Sequence, residues 1–195
     1  MPGSDVIASV SETLQGVLNN AVGTLDNPPP TAELSNLQGN ISTNPARLTI
    51  FLFEVAEDSS ARNKPRIRTA AAPNILTAKP PMALVLRYLV TAWGGDRATE
   101  HRLLGRAMQV LYDGALISGP DLQGGALKNT TEVLKVTLLP LTLEERTRVW
   151  YSVQRPYRLS LYYEVRVVNL DSETADRRRM VDGHSLGYGM GAPAP

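Results

Sequence analysis

The chain has 195 residues, no cysteine and only two histidines, His101 and His184. A chain of this length suits one domain that buries roughly 70% of its unfolded surface, and the missing thiols exclude disulfide, thiolate-zinc and iron–sulfur chemistry. Twenty basic against 19 acidic residues leave no global field to gather nucleic acid or a membrane surface.

The first segment reads as an amphipathic helix. Val6, Ile7, Val10, Leu14, Val17, Leu18 and Ala21 recur at spacings of three and four. Ser4 suits the N-cap and Gly23 the stop. Residues 26–47 carry Pro28, Pro29, Pro30 and Pro45 and predict an extended, irregular connection. Residues 48–55, LTIFLFEV, form a β-branched and aromatic run that is apolar on both faces, as a covered central strand is.

Residues 59–79 read as a long irregular loop. They hold Arg62, Lys64, Arg66, Arg68 and Lys79 and no acidic residue. Residues 82–93 predict a second long strand, and Gly94, Gly95 and Asp96 turn the chain. A helix follows over about 98–113, with Leu103, Leu104, Ala107, Met108 and Leu111 as its apolar stripe. Residues 132–139 read as a third strand. Thr142 with Glu145 three positions on is a capping box that opens a short helix. Residues 157–170 alternate polar and apolar side chains, which gives a fourth strand with one wetter face.

Beyond Asp171 the composition changes. Residues 172–179 are polar and end in Arg177, Arg178 and Arg179, and residues 183–195 contain four glycines and two prolines. The fold class expected is therefore α/β (α+β): one domain over residues 1–171, a roughly four-stranded mixed sheet flanked by helices, with a flexible tail over 172–195.

Catalytic patterns fail on context. Residues 183–187, GHSLG, match G-x-S-x-G, but no strand precedes Ser185, glycines and a proline follow it, and no acid and histidine come after it. Glu144 and Glu145 are adjacent and diverge by about 100° on a helix, a poor acid–base pair. His101 reads as a solvated or interface residue of its helix. Gly94 and Gly95 lack the spacing of a phosphate loop, although a helix start after a glycine turn can hold an anion. The start MPGSDV shows no secretory pattern, no stretch approaches about 20 apolar residues, and the sequons at Asn40 and Asn129 read as chance. The features with most promise are contact features. The basic segment and the arginine run suit an acidic surface, with solvated charge and nucleic-acid binding as the other readings; neither segment interleaves aromatic residues for base stacking.

Two stretches resemble a known family. One is Tyr88-Leu89-Val90-Thr91-Ala92-Trp93 followed by Glu100-His101-Arg102-Leu103-Leu104-Gly105 and Met108. The other is Arg155-Pro156-Tyr157-Arg158-Leu159-Ser160 followed by Tyr162-Tyr163-Glu164-Val165-Arg166. With the first helix and LTIFLFEV, their order resembles the cap, or tail-terminator, proteins of extracellular contractile injection systems, which are phage-tail-like particles. The resemblance implies a homohexameric ring that closes the distal end of an inner tube and its sheath. It implies no enzymatic activity, no cofactor, no metal and no small-molecule substrate. The implied partners are further copies of the chain, the tube protein and the sheath protein, in a particle assembled in a prokaryotic cytoplasm. A baseplate or adaptor role in such a particle is the nearest rival. The expected interface residues are Arg62, Lys64, Arg66, Arg68, Arg177, Arg178, Arg179, Met180 and Val181, with the stretch from Arg178 to Val181 suited to pairing with an exposed sheath edge.

Overall fold

A computed structural model describes residues 3–71 and 74–179. The chain divides into two compact units, Met1–Asn63 with Pro81–Asp171, and Lys64–Pro80 with Ser172–Pro195.

The larger unit is built on a six-stranded mixed sheet. Its strands are β1 (Thr31–Leu34), β2 (Arg47–Glu57), β5 (Met82–Trp93), β6 (Leu116–Ser118), β7 (Val133–Leu138) and β8 (Ser160–Leu170), in the spatial order β1-β2-β5-β8-β7-β6. β1 runs parallel to β2 and every other pairing is antiparallel. Two helices, α1 (Val6–Val22) and α2 (Arg97–Asp113), cover one face. Val6, Val10, Leu14 and Leu18 of α1 and Leu103, Leu104, Ala107 and Leu111 of α2 share a core with Leu86, Tyr88 and Val90 of β5. Strand side chains alternate between faces. Leu89 and Trp93 therefore point the other way, and pack with Trp150 of α3 (Leu143–Ser152), Val153, Leu37 and Tyr162.

The three helices start and stop for local reasons. Asp96 caps α2, its carboxylate accepting from the Thr99 N–H at 2.9 Å. Thr142 and Glu145 form the predicted capping box on α3. The N-cap of α1 is Asp5, one residue after Ser4, and it makes no side-chain cap bond.

The sequence reading needs three corrections. The sheet has six strands, not four. β1 lies inside the proline-rich connection because α1 holds it: the Ala32 N–H donates to Asn19 Oδ1 at 3.0 Å and the Ala32 carbonyl accepts from Gln15 Nε2 at 3.1 Å. Four residues held by tertiary partners carry no readable period. The third correction concerns the basic segment and the start of the tail, which supply the smaller unit. β3 (Ile67–Ala71), β4 (Asn74–Ala78) and β9 (Ala175–Arg179) form an antiparallel three-stranded sheet in the order β3-β4-β9. Each strand has five residues, and their mix of Arg, Thr, Ala and Ile hides the alternation. The rest of the tail, residues 180–195, lies outside the described residues.

Glycine is required at one site of the larger unit. Gly124 has φ +79°, and a Cβ there would lie 2.6 Å from Ser9 Cα. Gly39 has φ +72° and open space around it. Gly124→Ala should therefore lower stability by more than about 2 kcal/mol, and Gly39→Ala by about 1 kcal/mol, in urea melts of the two variants.

Candidate assembly interface

The expected interface residues fall in both units. Arg62 belongs to the larger one and donates from Nε to Glu57 Oε2 at 2.9 Å. Lys64, Arg66 and Arg68 precede or enter β3, and Arg177, Arg178 and Arg179 lie on β9. Cross-strand register sets their faces. Arg68, Thr77 and Asp176 form one row, and Ala70, Ile75 and Arg178 the next on the same face. Thr69, Leu76 and Arg177, and then Asn74, lie on the opposite face. The fold thus gathers two basic runs more than a hundred positions apart into one sheet with arginines on both faces. Arg66 Nη1 lies 3.8 Å from Asp176 Oδ2, and both side chains are exposed, so the pair adds little. Met180 and Val181 lie outside the described residues.

Sequence reasoning missed that β4 joins the two basic runs. The apolar pair Ile75 and Leu76 between Pro73 and Pro80 was the available signal, but two residues are too few to show a period.

The candidate chemical features take structural roles or fall outside the description. The Gly94 N–H points at Glu100 Oε1, 3.4 Å away, so the glycine turn meets a carboxylate of its own chain. His101 is exposed on α2. Ser185 and His184 lie outside the described residues. No group of three or more metal-ligating side chains occurs among the described residues.

The stretches that carry the resemblance converge on one knot. Trp93 is buried and donates from Nε1 to Thr49 Oγ1 at 2.8 Å. Arg158 and Arg155 lie over its ring, with guanidinium carbons 4.3 and 5.6 Å from the centroid. Glu100 is buried, accepts from Arg158 and pairs with Arg97 at 2.8 Å. Thr91 and Ser160 share a buried hydroxyl bond of 2.9 Å. The start of α2 is thereby fastened to the start of β8 across the end of β5.

A second network crosses the sheet. Arg87 donates to Glu54 at 2.8 Å and to Glu164 at 3.1 Å, while Arg166 donates to Glu164 at 2.5 Å and pairs with Asp58 at 3.4 Å. Burial would raise the Glu164 carboxyl, but the hydrogen bonds from Arg166 and Arg87 outweigh it and hold the group below the usual range.

The model of the Pvc16 N-terminal domain matches residues 9–182.

The chain belongs to the Pvc16 N-terminal domain family.

No curated protein sequence matches it. Solved structures do. One is the sheath/tube terminator, in its extended state, of PVC, an extracellular contractile injection system. It is 18% identical at a TM-score of 0.65, over 95% of this chain and 64% of that one. Another is the tube-terminating cap of the anti-feeding prophage, 18% identical at 0.62, over 94% of this chain and 60% of that one. This Pvc16 N-terminal domain therefore has the fold seen in terminators of contractile injection systems, and it spans under two thirds of each of those chains. No helix among the described residues is long and apolar enough to cross a membrane.

Two outcomes test the networks of this domain. Glu100→Ala leaves Arg158 without its carboxylate beside Trp93 and should cost about 3 kcal/mol, with loss of near-UV tryptophan dichroism. Because Glu164 is held low in the folded state, its contribution is full above the ordinary glutamate range, near pH 4.3, and fades as pH falls from there toward the folded value. Wild type should accordingly lose more stability between neutral pH and about pH 3 than Glu164→Gln does, measured by urea unfolding.

Proposed function

We propose that this chain is the structural cap of a contractile injection system. In this reading six copies form a ring that closes the distal end of the inner tube and the surrounding sheath and ends the polymerisation of both. The observation that carries it is the terminator fold, matched over almost the whole chain in two solved structures that are themselves described as a sheath/tube terminator and a tube-terminating cap. The family match over residues 9–182 supports it independently.

The work of such a cap is assembly, so its functional residues are contact residues. A body over residues 1–63 and 81–171, with residues 172–195 as a contact segment, belongs to the same proposal. Arg62, Lys64, Arg66, Arg68, Arg177, Arg178, Arg179, Met180 and Val181 are the residues proposed for contact with tube, sheath or neighbouring copies. A head-to-tail arrangement suits a chain whose basic segment and body are unlike surfaces, since such contacts close into a ring at the right rotation. The partners are proteins, and the role requires neither cofactor nor small-molecule substrate. The particle assembles in a prokaryotic cytoplasm.

The test is polymerisation of the cognate inner tube protein with and without this chain. Tubes should grow to broad lengths alone and stop short in its presence, with a six-fold ring at one end by negative-stain imaging. Removing residues 172–195 should leave the thermal transition of the body in place and abolish sheath capping. Tubes of unchanged length, or rings found only at the baseplate end, would replace the cap reading with an adaptor role.

A further inference from the structure

The smaller unit is cationic. Lys64–Pro80 and Ser172–Pro195 hold seven basic and three acidic side chains, which leaves thirteen basic and sixteen acidic in the larger unit. The near-neutral chain is thus two oppositely charged bodies. No described side chain of the smaller unit is buried. Ile67 is half exposed, and Ile75 and Leu76 are only partly covered. Ordering each backbone position costs about 1–2 kcal/mol, and a three-stranded sheet offsets that only with an apolar face that something covers. Its outer strands β3 and β9 each pair on one side only among the described residues. The unit is shaped and charged to be completed by an anionic protein surface.

The larger unit offers one. Two adjoining clefts run along α1, both bordered by Pro120 and Gln123. Glu12 lines the first, and Asp113 and Asp121 line the second. These three carboxylates are exposed and have no cationic partner among the described residues. Lys128 and Arg106 also border the clefts, but Arg106 is engaged with the Ala21 carbonyl and Gln109. The surface is preorganised: the Gln123 N–H donates to Thr13 Oγ1 at 2.9 Å, and the Ala126 N–H donates to Ser9 Oγ at 3.1 Å.

We propose that the cationic β3-β4-β9 sheet of one copy seats on the Glu12, Asp113 and Asp121 surface of a second copy. This contact joins unlike surfaces, as a ring requires, and it rests on the ring reading above. Nucleic acid is the less suited partner, because the three strands carry no aromatic side chain for stacking.

The test uses the full chain in three charge-reversed forms, followed by sedimentation velocity. The arm set is Arg66→Glu, Arg68→Glu, Arg177→Glu and Arg178→Glu. The body set is Glu12→Lys, Asp113→Lys and Asp121→Lys, and the third form carries both. Wild-type association should weaken at least about tenfold as salt rises from about 0.1 to about 0.5 M, because screening shortens the Debye length. Either set alone should give folded monomers by circular dichroism, and the combined form should associate again. An arm set that assembles like wild type overturns the docking while leaving the ring reading intact. So does an arm set whose Tm falls while assembly persists, which would mean that the sheet folds back on its own body. Salt-sensitive binding of a single-stranded oligonucleotide of about 30 nucleotides, lost in the arm set with assembly unchanged, assigns the sheet to nucleic acid instead. Wild type that stays monomeric at every salt overturns the ring reading and the docking together.

Discussion

Ten of the twelve residues of β5 are buried, and a strand in that position needs an apolar layer above and below it. The rest of the larger unit answers that need. Leu86, Tyr88 and Val90 face α1 and α2, while Leu89 and Trp93 face Trp150 and Leu37. β2 and β8 flank β5 along most of its length and satisfy its backbone on both edges. The single partly exposed position in the middle, Arg87, is the one where β5 carries charge, and there the strands supply Glu54 and Glu164 in register beside it. Removing a partner from Arg87 would leave a charge over a hydrophobic layer, which is why the ladder continues through Arg166 to Asp58 instead of ending at one pair.

The parts of the fold legible in the sequence are those whose stabilisation is local and periodic. α1 and α2 show their stripes because each rests one face on the sheet over seventeen residues. The Thr142 and Glu145 box marks α3 because both of its bonds lie within four residues. β5 and β8 are long enough to show composition or alternation. β1 was hidden because its partners at Ala32, Gln15 and Asn19, lie on α1, 17 and 13 positions back along the chain. β6 has three residues and depends on β7 for its bonds. β3, β4 and β9 were hidden for a different reason. They bury nothing that is described, so the hydrophobic signal that makes a strand readable is absent.

The same contrast explains what composition concealed. Net charge summed along the chain suggests indifference to charged partners. Summed by compact unit, it separates a basic sheet from an acidic body. The topology creates the separation by joining residues 64–80 to residues 172–179 through β4, a pairing that places Arg68 and Arg178 on one face and Arg177 on the other. A field of that kind acts within about 10 Å at ordinary salt. Such a field acts only at contact and gathers nothing from a distance.

The residues that carry the family likeness do framework work. Trp93, Glu100 and Arg158 close one knot, and Thr91 with Ser160 ties its base. None of them is an exposed contact residue, and removing the buried acid between two arginines would leave Arg158 without its carboxylate. The contact residues obey a different constraint. They must match a partner, and they can change whenever the partner changes with them. The buried knot fixes the fold, whereas the exposed charges of the basic sheet and the acidic clefts carry no core packing.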